Sequence, residues 1–125
     1  MATRETAAVI AIVDDDESVR TALHGLMQAV GLSSQTFASA EDFWNSGQQR
    51  YTACLIADVR MPGISGLELQ AKLKAAHCRI PIIFITAHGD ANMRMQALRE
   101  GAVEFLQKPF DDDELLQHVR AALRR

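Results

Sequence analysis

The chain has 125 residues, of which 48% are hydrophobic and 23% are charged, and its formal net charge is −3. This length is typical of one domain, the acidic balance offers no basic surface for nucleic acid, and no apolar run approaches the roughly 18 residues of a membrane span. Residues 1–6 lack the layout of a signal peptide and the two cysteines, Cys54 and Cys78, follow no spacing motif, so we expect one soluble cytoplasmic domain over residues 1–125 with reduced thiols.

Five short runs rich in aliphatic and β-favouring residues alternate with longer amphipathic segments along the chain. The first, third and fourth runs are almost continuously apolar, which is typical of strands covered on both faces. The second run is more polar and is expected at a sheet edge. We therefore predict five strands, at residues 9–13, 33–37, 53–57, 80–86 and 103–106.

Between the runs, apolar residues recur every three or four positions, which is the period of one helical face. The fourth segment, from Asp90 to Arg99, has no clean stripe, and we expect its helix to be the most mobile. Helix starts are indicated where Ser39, Ser65 and Asp111 each precede an acidic residue by three positions. The stripes are Val19, Leu23, Met27 and Val30 for the first helix, Ala40, Phe43, Trp44 and Gly47 for the second, Leu69, Leu73 and Ala76 for the third, and Leu115, Val119, Ala122 and Leu123 for the fifth.

This alternation predicts an α/β fold, in which right-handed crossovers build a parallel sheet with helices on both faces. In such sheets, ligands bind outside the carboxyl ends of the strands. Polar residues stand at those ends, and the fold would gather them at one edge: Asp14, Asp15, Asp58, Thr86 and Lys108.

Three aspartates converging at one edge would repel one another, and a hard divalent cation with oxygen ligands relieves that repulsion. Magnesium suits the site because it keeps several waters and commonly binds one or two carboxylates together with phosphate oxygens. Lys108 would place a positive charge and Thr86 a hydroxyl against a phosphoryl group, with Asp58 as the oxygen nucleophile. The residues therefore favour formation of an aspartyl phosphate.

Each of these residues alone also has a plainer interpretation. The acidic residues 14–16 could form a solvated helix start, with Asp16 and Glu17 as cap and dipole residues. Asp58 could be a turn residue or a helix cap, and Lys108 a surface lysine at a turn. The presence of all five polar positions at the predicted strand ends favours the functional interpretation.

The combination resembles the response-regulator receiver domain of two-component signalling over nearly the whole chain. The resemblance rests on an acidic pair, a D-x-x-M-P-x-x-x-G stretch, a Thr-Ala pair and a Lys-Pro-Phe triplet, which are weak alone and specific together. In this sequence they are Asp14-Asp15, residues 58–66, Thr86-Ala87 and Lys108-Pro109-Phe110. The resemblance implies a flavodoxin-like five-stranded sheet in the order 2-1-3-4-5 with five helices, and a sensor histidine kinase as the phosphate donor.

The resemblance also implies roles for individual residues. Asp58 accepts the phosphoryl group. Asp15, Asp58 and the backbone carbonyl of Arg60 bind Mg²⁺ or Mn²⁺ directly, whereas Asp14 acts largely through water. Such a domain is a switch that assists its own phosphorylation and dephosphorylation, and not an enzyme acting on an external substrate.

Lys108 and Thr86 match the residues that sense the new charge in the family. There the threonine moves toward the phosphoryl group and an aromatic residue, matched by Phe105, turns inward. This motion reshapes the face made by the fourth helix, the fifth strand and the fifth helix, through which we expect phosphorylation to promote a homodimer. Arg60 and His88 stand where the family tunes the lifetime of the phosphoryl group.

A narrower similarity is to receivers of the nitrogen-fixation regulator type, of the LuxR class, and is carried by residues 85–90, 101–102 and 108–110. Such chains usually continue into a helix-turn-helix DNA-binding domain. We therefore expect an effector domain C-terminal to residue 125 that controls transcription. The segment of 125 residues is itself expected to bind neither nucleic acid nor membrane.

Two other classes of protein need some of the same residues. A phosphohydrolase resembling the haloacid dehalogenase superfamily places its nucleophile after the first strand in a D-x-D-x-T pattern, whereas here Glu17 and Ser18 follow the three aspartates. A flavin-binding electron carrier needs a glycine- and hydroxyl-rich phosphate loop after that strand. Three aspartates in that place would repel phosphate.

Overall fold

The computed structural model describes residues 9–124, so the predicted lack of a leader in residues 1–6 lies outside the described residues. Five strands and five α-helices alternate along the chain, as the sequence predicted. The strands are β1 (Val9–Val13), β2 (Ser33–Phe37), β3 (Thr52–Asp58), β4 (Ile82–Thr86) and β5 (Glu104–Gln107). The helices are α1 (Glu17–Ala29), α2 (Ala40–Ser46), α3 (Gly66–Ala75), α4 (Ala91–Arg99) and α5 (Asp112–Leu123), and a short 3₁₀ helix covers Gln48–Tyr51.

The five strands form one parallel sheet in the order β2-β1-β3-β4-β5. The whole of β4 and most of β3 are buried, as their continuous apolar runs predicted. The more polar β2 is partly exposed along its length and lies at one edge. The predicted flavodoxin-like α/β fold, its strand order and the edge position of β2 are all confirmed.

Each face of the sheet carries its own apolar core, because successive side chains of a strand point to opposite faces. Ala11 and Val13 of β1 pack with α2, α3 and α4, whereas Ile10 and Ile12 pack with α1 and α5. Each large apolar side chain removed from water contributes about 1.5–3 kcal/mol. The helix residues that fill the two cores are Phe43, Leu69, Leu73 and Ala97 on one face, and Leu23, Met27, Leu115 and Val119 on the other.

The predicted helix caps are confirmed at three helices. The side chains of Ser39, Ser65 and Asp111 each accept a hydrogen bond from a backbone N–H in the first turn of the helix that follows. At α3 the Glu68 side chain also accepts from the backbone N–H of Ser65, which completes a capping box. Asp16 caps α1, and hydrogen bonds from Ser18 lower the pKa of Asp16.

Several predicted boundaries were wrong by one or two residues. β4 begins at Ile82 and not at residue 80, because Pro81 has no N–H to donate to a neighbouring strand. α2 ends before Gly47, whose φ of 73° is the left-handed conformation that closes helices. Val30 and Ala76 are the C-caps of α1 and α3 and lie just outside those helices.

Helix α4 has the fewest buried residues of the five α-helices, which agrees with the lack of a clean apolar stripe in its sequence. Its buried residue is Ala97, and Met95 is 56% exposed. A buried polar contact also holds the helix, because Gln70 Nε2 of α3 donates to the Ala97 carbonyl at 3.1 Å. The greater mobility of α4 stays a prediction.

Both cysteines are free, as expected. Cys54 is buried in β3, and this burial raises the pKa of its thiol to about 12. Within residues 9–124, no helix is both long enough and apolar enough to cross a membrane.

Candidate functional site

The polar residues predicted from the strand ends lie together at the carboxyl edge of the sheet. Asp58 and Thr86 are the last residues of β3 and β4. Asp14 directly follows β1, and its backbone N–H donates to the carbonyl of Phe37 at 3.1 Å. Lys108 directly follows β5, and its N–H donates to the carbonyl of Thr86 at 2.7 Å. These two hydrogen bonds therefore hold the backbone from which the Asp14 and Lys108 side chains project.

Three carboxylates form the acidic part of the site. Asp14, Asp15 and Asp58 each offer an oxygen, and these three oxygens lie within 4.8 Å of one another. Asp14 is completely buried and Asp58 is 7% exposed, whereas Asp15 faces solvent. A cluster of anionic oxygens that is buried on one side and open on the other fits a hard divalent cation that keeps part of its water shell.

Lys108 supplies the positive charge next to the cluster. Its Nζ lies 3.1 Å from Oδ2 of Asp14 and 3.1 Å from Oδ2 of Asp58. Burial opposes the charge on Lys108, but the hydrogen bonds and attraction from the two aspartates outweigh it and raise the pKa of Lys108. Burial also raises the pKa of Asp14, against hydrogen bonds from the Asp16 N–H and Lys108 that lower it.

Thr86 of β4 and Phe105 of β5 are both buried. Thr86 is 1% exposed, and its Oγ1 accepts from the backbone N–H of His88 at 3.3 Å. Phe105 is 5% exposed and its ring centroid lies 6.5 Å from that of Phe84. The Phe105 ring therefore lies inward, in the core on that face of the sheet.

Arg60 contacts both Asp58 and the backbone of His88. The backbone N–H of Arg60 donates to Asp58 Oδ1 at 3.1 Å, and its side-chain Nε donates to the carbonyl of His88 at 3.3 Å. The arginine therefore ties the loop after β3 to the loop after β4. Both side chains are exposed, so they can meet water or an incoming group.

Sequence analysis assigned no role to Arg20, which the structure places against the backbone of Asp14. Its guanidinium donates to the backbone carbonyl of Asp14 at 2.7 Å. This contact holds the turn between β1 and α1, in which the Asp16 N–H also donates to Asp14 Oδ1 at 2.9 Å. The sequence signal that could have found Arg20 is a basic residue one turn into α1, four positions after the cap Asp16. This signal is weak.

Known proteins are similar to this chain in sequence and in fold. A family model described as the response regulator receiver domain matches residues 10–120. The chain is 48% identical over 120 residues to the response regulator protein TodT of Pseudomonas putida, covering 96% of this chain and 53% of TodT. It is 42% identical over 114 residues to the transcriptional regulatory protein FixJ of Azorhizobium caulinodans, covering 91% of this chain and 54% of FixJ.

A solved structure agrees with these sequence matches. Full-length FixJ from B. japonicum gives a TM-score of 0.86 at 37% identity, covering 95% of this chain and 59% of that one. The chain therefore spans about half the length of the curated relatives that it matches.

Proposed function

This chain belongs to the response regulator receiver domain family, and from that premise we propose that Asp58 accepts a phosphoryl group from a phosphohistidine of a sensor histidine kinase. A receiver domain is a signalling switch rather than a conventional enzyme. We take residues 1–125 as a single such domain. The observation that carries the proposal is the position of Asp58, which lies within 4.8 Å of two further carboxylates and 3.1 Å from Lys108.

The transfer step needs an oxygen nucleophile and a way to bear the charge of the phosphoryl group. An oxygen of Asp58 attacks phosphorus in line, the phosphorus–nitrogen bond breaks, and the electron pair leaves with the imidazole nitrogen, which takes up a proton. Lys108 moves from its two carboxylates to the phosphoryl oxygens. The transfer leaves an aspartyl phosphate on Asp58.

The acidic cluster would hold Mg²⁺, or Mn²⁺ in its place. Asp15, Asp58 and the Arg60 carbonyl would bind the ion directly and Asp14 through water. When bound, the ion neutralises the charge that develops on the phosphoryl oxygens. Asp14 is already paired with Lys108 Nζ at 3.1 Å and accepts from the Asp16 N–H at 2.9 Å, so it is less free to bind the ion directly than the exposed Asp15.

Loss of the phosphoryl group requires water to reach Asp58 from the open side. The Arg60 side chain and the loop carrying His88 lie across that side and are joined at 3.3 Å. We assign both residues to the control of phosphoryl-group lifetime, through access of water and contact with the anion.

Phosphorylation would move Thr86 and Phe105 and thereby reshape the α4-β5-α5 face. We expect it to promote a homodimer through that face. On this face Glu104 of β5 forms a salt bridge with Arg94 of α4 at 3.2 Å, and His118 of α5 lies 3.7 Å from the same carboxylate. Relatives about twice as long include a transcriptional regulatory protein. An effector domain C-terminal to this segment, binding DNA to control transcription, is therefore part of the proposal.

Intact-mass measurement after treatment with acetyl phosphate and Mg²⁺ tests the central claim. We expect the mass of one added phosphoryl group, which EDTA prevents and which the Asp58→Asn variant lacks. Equal labelling of wild type and Asp58→Asn, or no labelling of the wild type, contradicts the assignment of Asp58.

A further inference from the structure

Glu41 reaches the loop of residues 59–65 from a separate helix. It lies in the first turn of α2, and its Oε2 accepts a hydrogen bond from the backbone N–H of Ile64 at 3.1 Å, across 23 positions of sequence. Its other carboxylate oxygen, Oε1, is buried and has no hydrogen-bond partner among the described residues. A buried carboxylate oxygen without a partner costs stability. The presence of Glu41 at this position therefore needs a reason other than packing.

Gly63 fits against this carboxylate. Its φ is 78°, and a Cβ at this position would overlap Glu41 Oε2. The backbone of the loop can therefore approach α2 as closely as it does because residue 63 is glycine. Side chain and loop are complementary in shape as well as in hydrogen bonding.

The same loop carries Arg60, whose backbone carbonyl is one of the proposed ligands of the cation. It begins directly after Asp58, and the Arg60 N–H donates to Asp58 Oδ1 at 3.1 Å. Its far end is closed by the Gly66 N–H, which donates to the Val59 carbonyl at 2.9 Å. These two bonds lie within the segment from β3 to α3, whereas the bond to Glu41 fixes the segment from another helix.

We propose that Glu41 is a positioning residue for the cation site. Its hydrogen bond to Ile64 holds the β3–α3 loop in the shape that presents the Arg60 carbonyl beside Asp58 and Asp15. This inference rests on the proposed function of the acidic cluster. Glu41 itself touches neither the cation nor the phosphoryl group, and acts through the backbone of the loop.

Variants of Glu41 separate the hydrogen bond from the charge. Glu41→Gln removes the charge and keeps an oxygen that can accept from Ile64, whereas Glu41→Asp keeps the charge and shortens the reach. Asp42→Asn, at the exposed neighbouring position of the same helix turn, is the matched control for loss of a negative charge. The readouts are the Mg²⁺ dissociation constant from calorimetric titration, and the hydrogen exchange of the Ile64 amide in metal-free protein.

We expect Glu41→Asp to raise the Mg²⁺ dissociation constant about ten-fold, the lower end of the effect of removing a contact that orients metal ligands. Its Ile64 amide should exchange faster. Glu41→Gln and Asp42→Asn should stay within about two-fold of wild type, because each leaves an acceptor for Ile64 in place. Circular dichroism checks that all three variants are folded.

Two outcomes overturn the inference. One is wild-type Mg²⁺ affinity in Glu41→Asp although its Ile64 amide is exposed. The other is a loss of affinity in Glu41→Gln as large as or larger than the loss in Glu41→Asp, since Glu41→Gln keeps the acceptor for the Ile64 N–H and the hydrogen bond would then not be responsible. Failure of wild-type protein to bind Mg²⁺ or to be labelled at Asp58 would instead contradict the proposed function, so the two failures are distinguishable.

Discussion

Lys108 Nζ lies 3.1 Å from Asp58 Oδ2, although 50 positions of sequence separate the two residues. The same Nζ lies 3.1 Å from Asp14 Oδ2, so the lysine is the counter-ion of two carboxylates. A divalent cation at the cluster competes with this pairing, whereas a phosphoryl group on Asp58 gives the lysine a new partner. On the proposed function, Lys108 would therefore oppose metal binding while it pairs with the carboxylates, and would assist phosphoryl transfer once it meets the phosphoryl oxygens.

Replacing Lys108 with methionine should separate these two effects. We expect Lys108→Met to bind Mg²⁺ about five-fold more tightly, because removal of a competing charge at this distance is worth about 1 kcal/mol. Labelling by acetyl phosphate should slow by about a hundred-fold, as for loss of one group that stabilises transition-state charge. Titration and intact-mass time courses measure the two, with the exposed Lys74→Met as the control. Weaker Mg²⁺ binding in Lys108→Met would count against the competition.

Mg²⁺ should stabilise the folded protein through the acidic cluster. An ion that binds the folded state and not the unfolded chain adds about 2.7 kcal/mol at a concentration one hundred times its dissociation constant. We expect the midpoint of urea unfolding to rise with Mg²⁺ and to fall back with EDTA. Asp15→Ala should abolish the rise and leave metal-free stability nearly unchanged, because Asp15 is exposed. An equal rise in that variant would place the ion elsewhere.

The two cysteines should differ in reactivity. The buried Cys54 thiol has a pKa of about 12, so at pH 8 it is protonated as well as shielded, and thiolate is the form that reacts. Cys78 is partly exposed. In native protein we expect iodoacetamide to modify Cys78 alone, and in urea both residues, as peptide mass spectrometry would show. Rapid native modification of Cys54 would contradict the packing of β3.

The main elements of the fold and the principal site residues could be predicted from the sequence, for a physical reason. Strands buried on both faces need continuous apolar runs, and a parallel sheet then brings the residues at its carboxyl ends to one edge. Asp58 and Thr86 could be located because each ends such a run. The family resemblance assigned their roles, which position alone does not specify.

Contacts between a side chain and a distant backbone group were beyond prediction. Arg20 and Glu41 look like ordinary surface residues of helices α1 and α2, and their importance depends on where the Asp14 carbonyl and the Ile64 N–H point. No periodicity encodes that direction. The inward position of the Phe105 ring was also beyond prediction. A strand pattern gives the face of the sheet on which a ring lies but not its rotamer.

Gly89 allows Phe105 to lie inward. A Cβ at this position would lie 2.7 Å from Cε1 of Phe105 and 2.7 Å from Cγ2 of Thr86, closer than packed carbon atoms approach. The glycine therefore touches both residues of the proposed switch. By contrast, a Cβ at Gly25 in α1 would have no neighbour within 4 Å.

We therefore predict that Gly89→Ala moves the Phe105 ring outward and destabilises the protein by about 1–3 kcal/mol, the usual cost of overpacking. Combining it with Phe105→Leu, which removes the ring carbons in the way, should recover part of that loss as a coupling energy of about 1 kcal/mol. Gly25→Ala should instead stabilise the protein by about 0.5–1 kcal/mol, because alanine favours a helix interior. Urea unfolding measures the energies, and nuclear Overhauser contacts between Phe105 and the Thr86 methyl report the ring position. If those contacts persist in Gly89→Ala and the two substitutions are additive, the loop has moved and the ring has not.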